Sequence, residues 1–204
     1  MDVTLVIFQV IILIGSVIIH EMAHGYAALF QGDPTAKHAG RLTLNPIKHL
    51  DPFGSVILPI VLLLVSAGSF AFGWAKPVPY NPYNLRNQRW GELVVAIAGP
   101  ISNLILAVIF GILIRMADTF GFSESFIHLS LMIVVINVAL AIFNLIPVPP
   151  LDGSKILFTF LPYSKNHIRE MLERWSLPLL LLVIFFAWDW IAPLVFAVVA
   201  LIVG

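Results

Sequence analysis

Residues 3–30, VTLVIFQVIILIGSVIIHEMAHGYAALF, decide what kind of protein this is. The run from Val3 to Ile19 is almost wholly apolar, His20, Glu21 and His24 interrupt it, and apolar character resumes to Phe30. One helix over this stretch is about 42 Å long at 1.5 Å per residue, enough to cross a ~30 Å hydrocarbon core. Gly32, Asp33 and Pro34 end it. Residues 53–75, 93–114 and 125–151 each contain no Asp, Glu, Lys or Arg. Each reaches the ~18 to 20 residues that a crossing requires. The whole chain is 60% hydrophobic and 11% charged, against roughly 45 to 50% apolar residues in a soluble protein. Its mean hydropathy is +0.99. These numbers predict an all-α integral membrane protein, a polytopic helical bundle.

They also exclude several classes. Eleven basic residues balance eleven acidic ones and no basic tract exists, which argues against a nucleic-acid partner. The absence of cysteine rules out disulfides, thiolate nucleophiles and Cys-ligated metal, leaving His and carboxylates as ligands. No repeat or linker divides the 204 residues, so one membrane-embedded domain is expected over 1–204, with a core at about 3–160 and a last membrane segment at about 176–203.

Between the apolar runs, the alternation of Arg41, Leu42, Thr43 and Leu44 predicts a short β element near the first helix. Pro77, Pro79, Asn81 and Pro82 predict a stiff extended segment. Pro147, Pro149 and Pro150 break a helix just before Leu151, Asp152 and Gly153. Residues 165–174 read as a surface helix. Asp189 and Pro193 interrupt the final apolar stretch, which fits either one kinked span or a shallow hairpin.

The chemistry sits in the first helix. His20 and His24 are four residues apart, so both imidazoles project from one face and can close on one ion, with Glu21 beside them to take a proton from bound water. This is the H-E-x-x-H spacing of zinc hydrolases. Three ionisable groups in five residues of a membrane helix need compensation, which a cation supplies. A catalytic zinc takes a third protein ligand, for which Asp152, His49, Asp51, His38, His128 and Glu92 are the candidates. Asp152 leads them, because irregular backbone at membrane depth is tolerated where it lines a protein cavity. His49 and Asp51 come next. A proton- or metal-coupled transporter using the same cluster as a relay is the alternative; transporters commonly carry internal repeats, and none is visible here.

The sequences HEMAH (20–24), AGPISN (98–103) and NLIPVPPLDG (144–153) resemble the site-2 protease family of intramembrane zinc metalloproteases. NPIKHLDPFG (45–54) and GWAKPVP (73–79) further resemble its small prokaryotic branch without PDZ or CBS domains. The resemblance implies that His20, His24 and Asp152 bind one Zn2+ per chain, that Glu21 is the general base and that Asn144 binds substrate. It also implies membrane-anchored protein substrates cleaved within or near their spanning segment. Without the family, Gly99, Pro100, Asn103 and Asn137 read as helix-packing and interhelical hydrogen-bonding positions.

Parity places residues 53–75. If they crossed fully, the two following helices would bring Asp152 to the face opposite His20 and His24. If they dip in and return, Asp152 arrives beside the histidines, so a re-entrant segment is predicted. That topology puts Lys37, Arg41, Lys48, Lys76, Arg86, Arg89, Lys155, Lys165, Arg169 and Arg174 on one face and Arg115 on the other. The positive-inside rule then predicts a multi-pass plasma-membrane protein with its N-terminus outside and its active site toward the cytoplasm.

Overall fold

A computed structural model describes residues 3–65 and 73–204, and among these residues all regular structure is helical. The first helix, α1 (Val3–Phe30), is followed by a short α2 (Thr35–His38) and a 3₁₀ turn at Pro46–His49. A π-helical turn at Pro52–Ile57 runs into α3 (Leu58–Val65). After an extended stretch and a 3₁₀ turn at Pro82–Asn84 come α4 (Gln88–Arg115), α5 (Ala117–Phe120) and α6 (Glu124–Asn144). Then follow α7 (Asp152–Phe160), a 3₁₀ turn at Tyr163–Lys165, α8 (Asn166–Arg174), α9 (Ser176–Phe186) and α10 (Trp188–Val203).

The ends of these helices follow from local chemistry. At the end of α1, Gly32 adopts φ +103°. The Gly32 N–H donates to the Leu29 carbonyl and the Asp33 N–H to the Ala28 carbonyl, the paired bonds of a Schellman ending. The Ser123 hydroxyl accepts the Phe126 N–H and caps α6, with Glu124 in the first turn where a negative charge suits the helix dipole.

Among the described residues, three helices are long and apolar enough to cross a membrane: α1 at 28 residues, α4 over Trp90–Arg115 at 26, and α6 at 21. Their outer faces carry exposed Ile7, Ile11, Ile105 and Ile109, while polar Ser16, Asn103, Ser130 and Asn137 are buried. That distribution suits a bilayer, where apolar side chains face lipid and polar groups pair inside the bundle. Ala107, Val134, Val138, Val183, Ile191, Val195 and Val199 form a core joining α4 and α6 to α9 and α10.

The two described ends of residues 53–75 meet at one place. The Trp74 N–H donates to the Gly54 carbonyl (3.1 Å), the Ser55 hydroxyl to the Trp74 carbonyl (2.7 Å), and the Lys76 N–H to the His49 carbonyl (2.9 Å). The helical part, Pro52–Val65, is about 21 Å long, short of a crossing. Residues 66–72 of this expected re-entrant segment lie outside the described residues. The paired ends are those of a re-entrant segment.

The last apolar stretch bends by 68° between α9 and α10. Arg169 on α8 faces Glu92 at the start of α4 (3.8 Å), whereas Arg115 at the end of α4 donates to the Leu201 carbonyl on α10. The chain therefore passes from the Glu92 end of α4 toward its Arg115 end, which fits one broken span. The expected β element is absent among the described residues. Residues 42–44 form bends, because no second strand lies alongside among the described residues to complete a ladder and the Arg41 guanidinium donates to the Lys76 and Pro77 carbonyls.

Candidate metal centre

His20 and His24 lie on the inner face of α1, one turn apart, and both are buried. Asp152 opens α7, where the proline-broken connection after α6 turns the chain back into the bundle. Gly153 fits there because a Cβ would collide with the Leu145 and Ile146 carbonyls. The atoms His20 Nε2, His24 Nε2 and Asp152 Oδ2 form a nearly equilateral triangle with edges of 3.0, 3.0 and 3.1 Å. Edges of that length would let all three atoms reach one ion at the usual zinc distance of ~2.0 to 2.1 Å. Opposite the histidines is Gly99 of α4, where a Cβ would lie 2.5 Å from both Nε2 atoms.

The hydrogen-bond network fixes what these atoms can do. The Asn103 amide nitrogen donates to Asn137 Oδ1 (2.8 Å) and the Ser16 carbonyl (3.3 Å), which turns Asn103 Oδ1 toward His20 Nδ1 at 2.6 Å. His24 Nδ1 faces the Val95 carbonyl at 2.7 Å. Both partners are acceptors, so each Nδ1 carries the proton and each Nε2 presents a lone pair. Two lone pairs and a carboxylate oxygen thus converge at about 3 Å with no donor among them, an arrangement that a cation satisfies. The donor set fits zinc: two imidazoles and one carboxylate, the three protein ligands a catalytic zinc takes.

Glu21 is half-buried beside the triad, and its Oε2 accepts the Val78 N–H at 2.7 Å. Val78 belongs to the extended stretch 73–81, in which residues 74, 76 and 78 all donate inward, to Gly54, His49 and Glu21. Alternate residues of an extended chain face the other way, and two of these, Pro77 and Pro79, have no N–H. The outer edge at those positions carries carbonyls alone, and the Pro77 carbonyl accepts from the Arg41 guanidinium at 3.3 Å. Asp33, fully buried, ties this stretch to the end of α1. Its carboxylate accepts the Asn81 N–H (2.6 Å), the Asn84 amide (2.8 Å) and the N–H and hydroxyl of Thr35. Burial raises the Asp33 pKa, but these hydrogen bonds outweigh it and hold the carboxyl below its ordinary value.

The other candidate ligands stand apart. Among the described residues, the triad is the only cluster of three or more such groups. The His49 Nε2 bonds the Thr43 carbonyl (2.8 Å), and Asp51 accepts the Phe53 and Gly54 N–H groups. Glu92 faces Arg169, and His38 and His128 are exposed. Asn144 donates to the Leu140 carbonyl within its own helix. Asn103 and Asn137 do bridge helices, as expected, but the orientation of His20 by Asn103 and the contact of Gly99 with both imidazoles were missed. The i, i+4 spacing of Gly99 and Asn103 on α4 was the available signal.

The chain matches peptidase family M50 over residues 8–125 and 113–187. It is 44% identical over 161 residues to YwhC of Bacillus subtilis, assigned as a zinc metalloprotease, covering 76% of this chain and 69% of YwhC. It is 30% identical over 140 residues to Rip2 of Mycolicibacterium smegmatis, also assigned as a zinc metalloprotease, covering 68% of this chain and 51% of Rip2. The chain thus spans about half the length of that second relative. No solved structure matches it significantly. With its three long apolar helices, the chain is a multi-pass membrane protein belonging to peptidase family M50, the site-2 protease family of zinc metalloproteases.

Proposed function

We propose that this chain is a zinc-dependent intramembrane endopeptidase that hydrolyses peptide bonds within or near the spanning segment of membrane-anchored proteins. The observation that carries the reading is the convergence of His20 Nε2, His24 Nε2 and Asp152 Oδ2, with no donor among them, beside the Glu21 carboxylate. Gly99, which faces the imidazoles, lies eleven residues into α4, about 16 Å from its start. The site therefore stands at membrane depth when α4 spans the bilayer. His20, His24 and Asp152 would hold one zinc ion, which when bound polarises the scissile carbonyl and brings the pKa of its water toward ~7.

Glu21 acts as the general base and hands the proton to the leaving amine. The Val78 N–H fixes Oε2 and leaves Oε1 to carry that proton. A helical substrate hides its carbonyls in i to i−4 bonds, so a stretch must unwind. That stretch would dock along the extended residues 75–79 and against Asn144 at the end of α6. The bias of Lys and Arg toward the site's end of the bundle supports a cytoplasm-facing site and an external N-terminus.

The test uses the full chain in detergent with a membrane-anchored substrate. Glu21→Gln is expected to keep its zinc and lose cleavage by about 10² to 10⁴-fold, and His20→Ala to lose both. Cleavage that survives Glu21→Gln at full metal content would overturn the reading.

A further inference from the structure

Only one oxygen of Asp152 faces the histidines. Oδ2 lies 3.1 Å from His20 Nε2 and 3.0 Å from His24 Nε2, whereas Oδ1 faces Lys155 Nζ at 3.3 Å. The two residues are three apart, so the first turn of α7 brings ammonium and carboxylate to one side. The Lys155 side chain is 33% exposed. Its Nζ lies 5.5 Å from the centre of the Tyr80 ring, on the extended stretch beside Glu21. The ammonium is thus held between an aromatic face and a carboxylate oxygen. No step of the mechanism above uses it.

A carboxylate can give a metal one oxygen or two. A catalytic zinc keeps three protein ligands and one position for water or substrate, and a two-oxygen Asp152 would take up that position. We propose that Lys155 is a positioning residue that restricts Asp152 to one-oxygen ligation. Its ammonium captures Oδ1 and leaves the fourth place on the metal to water. The inference rests on the zinc reading of His20, His24 and Asp152. A charged donor is required, because it competes with a dication for the same oxygen. Tyr80 limits how far the lysine can swing away.

Cobalt tests this by a readout other than activity, since four-coordinate Co2+ absorbs visible light far more strongly than five-coordinate Co2+. The full chain is purified in detergent, stripped of metal and loaded with Co2+. Wild type is expected to bind one cobalt per chain with intense four-coordinate bands. Lys155→Met is expected to keep the cobalt and lose band intensity severalfold as Oδ1 joins the metal. Lys155→Arg, which retains a charged donor, is expected to restore the intensity. Lys155→Met with stoichiometric cobalt and wild-type bands overturns the proposal; should that variant not fold, Lys155→Gln is read the same way. A five-coordinate spectrum in wild type overturns it without any variant. Wild type that binds no metal is a separate outcome, in which the zinc reading itself fails.

Discussion

His20 Nδ1 lies 2.6 Å from Asn103 Oδ1, and through that amide one polar thread joins all three long helices at the level of the metal centre. Asn103 on α4 donates to Asn137 on α6, and Asn137 donates in turn to the Ser16 hydroxyl on α1. In a bundle whose outer surface faces lipid, such bonds fix the rotation of each helix about its axis, which apolar packing alone specifies weakly. The helix contact and the tautomer of His20 are set by the same side chain.

Replacing Asn103 with leucine should therefore weaken metal binding as well as the helix contact. His20 loses the acceptor that keeps its proton on Nδ1, and removing such an outer partner typically costs 10 to 100-fold in metal affinity. Competition with a chelator in detergent measures this. Unchanged zinc affinity in a folded Asn103→Leu protein would show that Asn103 serves packing alone.

Gly99 and Gly15 make a paired prediction. A Cβ at Gly99 would lie 2.5 Å from His20 Nε2 and His24 Nε2, whereas a Cβ at Gly15 meets nothing within 4 Å. Alanine is favoured over glycine in a helix by about 1 kcal/mol. Gly15→Ala should hold or raise thermal stability and keep zinc. Gly99→Ala should gain the same helix propensity yet bind zinc poorly, because the added methyl crowds the ligand atoms. Equal metal content in the two variants would refute this.

Asp33 governs the approach of the extended stretch to Glu21. Its folded pKa lies below the unfolded value, so the stabilisation it supplies is complete above the unfolded pKa, near ~4, and is lost as pH falls through the folded one. Asp33→Ala should cost about 2 to 4 kcal/mol, since it orphans donors from Thr35, Asn81 and Asn84. Unfolding in detergent followed against pH should show wild type losing stability on acidification below pH 4 and Asp33→Ala lacking that component.

How much of this was legible in the sequence depended on whether a signal was local. The ending of α1 at Gly32 and Asp33, the helices α4 and α6, and the spacing of His20 and His24 all rest on contacts within a few residues, and the structure agrees with each. Asp152 is 132 residues from His20, yet the proline break and the parity of crossings placed it beside the histidines. The strand expected at 41–44 failed because alternation records which side a residue faces and says nothing about a partner strand. The turn of Asn103 toward His20 was missed for the converse reason: a buried asparagine in a membrane helix looks the same whether it bonds a helix or a ligand. The bend between α9 and α10 was left open because Asp189 and Pro193 mark a break without fixing its angle.

The re-entrant segment makes the sharpest claim about topology, and the absence of cysteine makes it directly testable. Lys48 and Lys76 flank the segment, both are exposed, and the Lys76 N–H donates to the carbonyl of His49, the residue after Lys48. Asp118, exposed on α5, lies just past the far end of α4. Single substitutions Lys48→Cys, Lys76→Cys and Asp118→Cys can be probed with a membrane-impermeant thiol reagent in cells and in inverted vesicles. Lys48→Cys and Lys76→Cys should react in inverted vesicles and be protected in cells, with Asp118→Cys showing the reverse. If Lys48→Cys and Lys76→Cys reacted from opposite sides, residues 53–75 would cross the membrane. Asp152 would then lie a bilayer away from His20, and the 3.1 Å contact between them could not exist in the membrane.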